Sequence, residues 1–349
     1  MKTRDITESL AQVLSNGCSR REWLKASLGT IALGSLGIGA NGCAATENST
    51  ENPSATSDLD LSGRPRVKLG ADQRLAIIWI EAGVCTGCAT SLLGSVDPTI
   101  ESVLPALRLE FQETLMDRSG PAEMDRLLER SAELSGNFLL VVDGSVPQGP
   151  MAAMTTLGVT STGIELTAQD LITQLAMRAL AVVALGTCAA FGGIPSAAPN
   201  PGNYQPLSAF VPPGKPLVRI PGCPPHPGWI LETLVAVLTK GLAGLSLDGM
   251  GRPASIFGNT VHDLCPRRAA MDAGNFATAP GDPTGCLMMV GCKGPSTKAD
   301  CPKRLSAGRS SCILANHPCI GCASPGFPDA HPEAGAEGAS GMSPFYLDP

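Results

Sequence analysis

Between His262 and Cys322 lie seven of the chain's 13 cysteines: Cys265, Cys286, Cys292, Cys301, Cys312, Cys319 and Cys322. Thiols at this density pair as disulfides, hold zinc or hold iron–sulfur clusters. The stretch is rich in Gly and Pro and its only aromatic residue is Phe276. Cross-links, rather than an ordinary apolar core, are expected to hold it together. Spacing parses two ligand groups. His262, Cys265, Cys286 and Cys292 form one. Cys301, Cys319 and Cys322 form the other, with Cys312 as a candidate fourth member. Three thiolates and one imidazole suit zinc as well as a cluster, and spacing leaves that choice open. The second group is harder to read as zinc without Cys312, because structural zinc takes four ligands. His226 and His317 sit in Pro-flanked loops and are expected to hydrogen-bond backbone rather than metal. Arg267 and Arg268 read as structural or interface charges.

A third set lies earlier, and the elements around it say where it must sit. Continuous apolar runs of strand length occur at 75–80, 138–142, 181–185 and 217–220. Such runs mark strands buried on both faces. Helices are expected between them, at 121–134 (Pro121 at its start, Gly136 past its end), 168–179 and 227–240. Repeated strand–helix units imply an α/β fold with a doubly wound parallel sheet over about 67–250. Cys85 and Cys88 follow the 75–80 run, Cys188 follows 181–185 and Cys223 follows 217–220. All four then fall just past carboxyl ends of strands, the edge where open parallel sheets bind ligands. A lone C-x-x-C is a weak signal, but joined to two more cysteines at matching strand ends it reads as an all-cysteine metal site. From about 251 to 349 helix and strand signals fade, and a smaller irregular domain is expected.

The first residues read as a leader. Arg20 and Arg21, followed by Trp23, Leu24 and Lys25 and an uncharged run from Ala26 to Ala40, resemble a twin-arginine export signal over 1–43. The run is too short to span a membrane. Export by this route suits a protein that folds and loads cofactors before crossing. Cys43 is a candidate for lipid modification, and 44–66 is polar enough to be a disordered tether. A net charge of −6 and 4% aromatic residues argue against a nucleic-acid surface. The odd cysteine count means that not all can pair as disulfides within one chain.

Taken together, C-T-G-C (85–88), G-T-C-A-A-F-G-G (186–193), P-G-C-P-P-H-P (221–227), H-D-L-C-P-R-R (262–268), G-C-L-M-M-V-G-C-K-G-P (285–295), Cys301 and H-P-C-I-G-C (317–322) resemble the small subunit of [NiFe] hydrogenases, in order, from about residue 70 to 330. The resemblance implies a flavodoxin-like first domain and three clusters in line. By that likeness Cys85, Cys88, Cys188 and Cys223 match the ligands of a proximal [4Fe-4S] cluster. His262, Cys265, Cys286 and Cys292 match those of a distal [4Fe-4S] cluster. Cys301, Cys319 and Cys322 match those of a medial cluster, [3Fe-4S] in many members. Cys312 stands where members with a [3Fe-4S] cluster tend to have Pro, so the medial cluster is expected as [3Fe-4S] or, with Cys312 as fourth ligand, as [4Fe-4S]. The resemblance further implies a heterodimer with a large subunit that holds the nickel–iron centre, and electron transfer from hydrogen oxidation to an external acceptor, a cytochrome. Location follows as the periplasm or outer face of the cytoplasmic membrane, with membrane association through the partner or a lipidated Cys43. Gly87 and Gly193 stand where oxygen-tolerant members carry extra cysteines, which implies an ordinary proximal cluster and oxygen sensitivity.

Two other readings compete. A relative of the complex I cluster protein would use adjacent cysteines and lack the second domain. An exported zinc- or disulfide-stapled binding protein without redox function would account for the cysteines alone, but neither the twin-arginine motif nor the strand-end placement asks for one.

Overall fold

The computed structural model describes residues 75–328, apart from Asp97 and residues 307–309. The expected leader, Cys43, the 44–66 tether and His331 lie outside the described residues. Five parallel strands make the central sheet: β1 (Leu75–Glu81), β2 (Leu107–Phe111), β3 (Phe138–Asp143), β7 (Ala181–Leu185) and β9 (Leu217–Ile220). Between them lie four strands in two-stranded ribbons: β4 (Val146–Pro147) with β8 (Tyr204–Gln205), and β5 (Thr156–Val159) with β6 (Glu165–Thr167). The order β2-β1-β3-β7-β9 is the flavodoxin-like arrangement. Register runs Ile78 to Leu140, Val141 to Val183 and Val183 to Val218 across the centre.

The helices are α1 (Gly87–Leu93), α2 (Ile100–Val103), α3 (Pro121–Glu133), α4 (Ala168–Arg178), α5 (Gly186–Phe191), α6 (Pro227–Lys240), α7 (Ala254–Phe257) and α8 (Arg268–Asp272). Local chemistry starts the long ones. Pro121 and Pro227 open α3 and α6, where a missing N–H costs nothing. The Thr167 hydroxyl caps α4 by accepting from the Asp170 amide at 3.2 Å. The His226 ring caps α6 by accepting from the Gly228 amide at 2.9 Å.

Alternation along the strands sorts the core into two layers. Ile78, Ile80, Leu140, Val142, Val182 and Ala184 face α3 and α4, where Met124, Leu127, Leu171, Ile172 and Leu175 close the layer. Ile77, Trp79, Leu139, Val141, Val183 and Ile220 face α1 and α6, including Leu92, Trp229, Ile230 and Leu234. The second layer does not stop at α6. Phe257, Val261, Ala299, Ile313 and Ala323 join it, so part of the cysteine-rich region shares the sheet's core. The segment around Cys286 and Cys292 has only a small core of its own, Ala277, Leu287 and Val290. Cross-linking is therefore needed there more than in the 299–323 stretch.

The four expected strands match the observed ones to within a residue, and the three long helices likewise. Strand β2 is not among the expected ones. It is one edge of the sheet, with only Leu107 and Phe111 deeply buried, and its Arg108 and Glu110 break the apolar run. Glu110 is held there by ion pairs to Arg108 at 2.6 Å and Arg130 at 2.9 Å. Among the described residues no helix is long and apolar enough to cross a membrane.

Candidate metal centres

The flavodoxin-like order puts a switch point between β1 and β3, and the loop after β1 carries Cys85 and Cys88. The structure brings Cys188, in α5, and Cys223, after β9, to the same place. Burial is the main force on the Cys88 thiol, and it is followed by the charges of Asp143, Cys188, Cys85 and Cys223; together they push its pKa far up. Burial, then Cys223 and Cys85, push Cys188 up to about 12. Cys223 is raised by burial and by Cys85. Four thiolates held this close repel one another and require a cationic core between them.

Two glycines shape the pocket. A Cβ on Gly186 would stand 2.6 Å from the Cys88 sulfur, and one on Gly193 would stand 2.8 Å from the Cys188 sulfur. Both have positive φ, +81° and +59°. Only a residue without a side chain fits the backbone there and leaves room around the sulfurs.

His262, Cys265, Cys286 and Cys292 line one cavity together with Val261, Leu287, Met288 and Ile313. Burial raises the Cys265 thiol, partly offset by the Arg267 amide, which donates to its sulfur at 3.4 Å. Cys292 is raised by burial and accepts from the Cys319 amide at 3.3 Å. Arg267 is structural, as expected: its guanidinium donates to the Asp282 and Gly285 carbonyls at 2.8 and 2.7 Å and also to Asn316.

Cys301, Cys319 and Cys322 gather around a third point. Burial raises Cys301, followed by Cys322, Cys319, Asp300 and Cys312. Cys312 acts likewise on Cys319 and on Cys322, whose thiol is pushed up to about 11, chiefly by burial. Cys312 is thus a neighbour of all three, although the residue itself is exposed. His226 and His317 hydrogen-bond backbone, to Leu305 and Pro318 respectively, as their contexts predict.

All eleven described cysteines are free thiols. Among the described residues no three His, Cys, Asp or Glu side chains converge on a point fit for one metal ion. Groups of three or four cysteines, one with a histidine, have the donor chemistry that iron–sulfur clusters take.

Comparison with known proteins decides the family. Residues 257–333 match the family that comprises the C-terminal part of the NiFe/NiFeSe hydrogenase small subunit, and residues 85–237 match NADH ubiquinone oxidoreductase, 20 Kd subunit. The periplasmic [NiFeSe] hydrogenase small subunit of Desulfomicrobium baculatum is 38% identical over 288 residues, covering 79% of this chain and 88% of that one. The chain belongs to the [NiFe]/[NiFeSe] hydrogenase small-subunit family. The periplasmic [NiFe] hydrogenase small subunit of Solidesulfovibrio fructosivorans is 32% identical over 98% of this chain and 96% of its own. Among solved structures, the oxidised recombinant [NiFeSe] hydrogenase from Desulfovibrio vulgaris Hildenborough is similar with a TM-score of 0.70 and 36% identity, covering 75% of this chain and 96% of that one. The role is that of a hydrogenase small subunit, an iron–sulfur electron-transfer protein that is part of the enzyme. The match over 85–237 is shared with the complex I protein, and the match over 257–333 takes the chain out of that reading.

Sequence reasoning missed the residues that join the sets. The Thr187 hydroxyl accepts from the Gly222 amide at 2.8 Å and donates to the Cys322 carbonyl. Arg304 lies between Asp300 and Glu232, at 2.6 Å from each. Thr187 stands in the 186–193 motif only as the neighbour of Cys188, and Arg304 stands in none. Each acts on a backbone group or a side chain remote in sequence, and no spacing announces that.

Proposed function

We propose that this chain relays electrons from hydrogen oxidation in a nickel–iron large subunit through three clusters to a cytochrome-type acceptor, in the periplasm or at the outer face of the cytoplasmic membrane after twin-arginine export. Cys85, Cys88, Cys188 and Cys223 would hold a proximal [4Fe-4S] cluster. Cys301, Cys319 and Cys322, with Cys312, would hold the medial one as [4Fe-4S]; without Cys312 it would be [3Fe-4S]. His262, Cys265, Cys286 and Cys292 would hold a distal [4Fe-4S] cluster. Bound there, the clusters supply one-electron carriers whose potentials follow ligand charge, burial and hydrogen bonds to sulfur. The single observation that carries the reading is contiguity. The Thr187 hydroxyl, next to Cys188, donates to the Cys322 carbonyl, and the Cys319 amide donates to the Cys292 sulfur at 3.3 Å. Each set thereby touches the next.

The chain's own residues do the rest. Burial shields Cys88, Cys286 and Cys319 from water, while Cys85 and Cys312 are exposed. His262 supplies a neutral ligand in place of a thiolate, which makes its site less negative and favours its reduction. The names of the relatives from Desulfomicrobium baculatum and Solidesulfovibrio fructosivorans support a periplasmic location. The partner is proposed because the solved relatives are hydrogenases.

The test is to purify the enzyme anaerobically with its partner and assay acid-labile sulfide, iron and zinc per small subunit. Three clusters give about twelve sulfides, whether the medial one has three or four irons. Little sulfide with stoichiometric zinc would overturn the reading.

A further inference from the structure

We propose that Thr187 is a positioning residue for electron transfer, and that its hydroxyl sets the junction between the strand-end site and the Cys301 site. The inference rests on the ligand reading above and deepens it.

Thr187 is 1% exposed and sits next to Cys188 in α5. Its amide donates to the Gly222 carbonyl at 3.0 Å. Its hydroxyl accepts from the Gly222 amide at 2.8 Å and donates to the carbonyl of Cys322. Gly222 precedes Cys223, so one side chain ties together the loops of two strand-end cysteines and a cysteine of the next set. A threonine hydroxyl offers one donor and two acceptor lone pairs, and here it uses both functions on backbone groups flanking ligands. The grip on the Cys322 carbonyl holds that residue against the loop of Gly222 and Cys223. Local charge and hydrogen bonds set a cluster's potential. Without the Thr187 donor the negative end of the Cys322 carbonyl is left uncompensated beside the medial site, and a looser junction slows the electron. In the transfer one electron leaves the proximal site, which is oxidised by one equivalent. The medial site is reduced by one equivalent; no bond forms or breaks, and no proton moves. Hydrogen oxidation in the partner supplies the electron.

The side chain has no duty in the site besides this clamp. It is no ligand, and Val would fill its volume. Loss of the hydroxyl leaves the buried Gly222 amide and the part-buried Cys322 carbonyl unpaired, so the Cys322 segment shifts away to find other partners.

The experiment uses the intact heterodimer with Thr187→Val and Thr187→Ser. Sulfide and iron content are measured first. The medial potential is then measured by redox titration followed by electron paramagnetic resonance, and medial reduction after hydrogen mixing is followed by freeze-quench. Isotope exchange between D2 and water needs no net electrons and checks that the partner is intact. The expected result is full sulfide in both variants. Thr187→Val shows a lower medial potential and severalfold slower medial reduction, and Thr187→Ser keeps both near wild type. Unchanged potential and rate in Thr187→Val would overturn the proposal, as would a Thr187→Ser variant as impaired as Thr187→Val. Wild-type enzyme without about twelve sulfides would instead sink the ligand assignment on which it rests.

Discussion

Arg304 is the sharpest place to test how the cysteine-rich region is held to the sheet. Its guanidinium spans Glu232, in α6, and Asp300, which precedes Cys301. The exposures are 17% for Arg304, 5% for Glu232 and 12% for Asp300, so solvent screens these pairs little. Burial opposes the Arg304 charge, but the two carboxylates outweigh it and raise its pKa. Asp300 also accepts from the Trp229 indole at 2.6 Å, and Glu232 from the Ser255 hydroxyl at 2.9 Å. Arg304→Met keeps the stem and removes the charge, leaving two buried carboxylates without their cation. Breaking one partner out of a buried pair costs about 3–5 kcal/mol. Two unit charges about 4 Å apart at an effective dielectric near 20 give about 4 kcal/mol, in agreement.

At about 2–4 °C per kcal/mol for a domain of this size, the apparent thermal midpoint of the heterodimer should fall by on the order of 10 °C. Cluster loss makes unfolding irreversible, so the midpoint is compared at one fixed scan rate. Iron release should begin with the Cys301 site, because the clamp holds the residue before Cys301. Arg304→Lys should recover only part, since a point charge cannot fork to two carboxylates. Adding Glu232→Gln to Arg304→Met should restore several degrees by removing one orphaned charge. If Arg304→Met melts within about 2 °C of wild type, the triad is solvated in solution and the anchoring argument is wrong.

Three further outcomes are expected. Cys312→Ala should lower iron by about one per chain at unchanged sulfide, and the oxidised enzyme should then show a full [3Fe-4S] resonance; an unchanged iron count would make Cys312 a bystander. Gly193→Ala puts a Cβ 2.9 Å from the Cys188 Cα and 2.8 Å from its sulfur, and should cost about four irons and four sulfides. Gly163→Ala, at φ +83° with nothing within 4 Å, is the control for backbone strain alone and should keep full iron. Burial, followed by the charges of Glu81 and Asp143 and opposed by backbone hydrogen bonds, pushes the Glu113 carboxyl from an ordinary 4.5 up to about 8. The folded state then holds a proton that the unfolded chain has lost, so this contribution to stability is complete below pH 4.5 and is lost as pH rises to about 8. Glu113→Gln should flatten the pH dependence of the thermal midpoint across that window, and a profile parallel to wild type would refute the shift.

What was legible in the sequence follows from how each residue exerts its effect. The central strands announce themselves because Ile77–Ile80, Leu139–Val142 and Ala181–Leu185 are buried on both faces. The strand-end cysteines follow from them, because a parallel sheet fixes which end of each strand meets a ligand. Strand β2 was hidden because an edge strand tolerates Arg108 and Glu110, whose ion pairs are invisible without the helix that supplies Arg130. Thr187 and Arg304 were hidden for a related reason: their partners are 135 and 72 residues away and are a backbone carbonyl and a helix carboxylate, which no spacing singles out.

Apolar packing also holds the cysteine-rich region, which its poverty in aromatics and its Gly and Pro content did not announce. Val261, Ala299, Ile313 and Ala323 bury against the same layer as Trp229 and Ile220, so ordinary apolar packing seats this region on the sheet. That seating makes the sets meet in an order the chain does not follow. Along the sequence the strand-end set comes first, the His262 set second and the Cys301 set last. In space the C-x-x-C at 319–322 is the pivot. The Cys319 amide reaches the Cys292 sulfur, while the Cys322 carbonyl accepts from Thr187. Two cysteines three residues apart cannot be far from each other, so both junctions are tied to one short segment. A change that moves this segment against the sheet alters both contacts together, and the anchors that prevent it are Thr187 on one side and the Arg304 clamp beside Cys301 on the other.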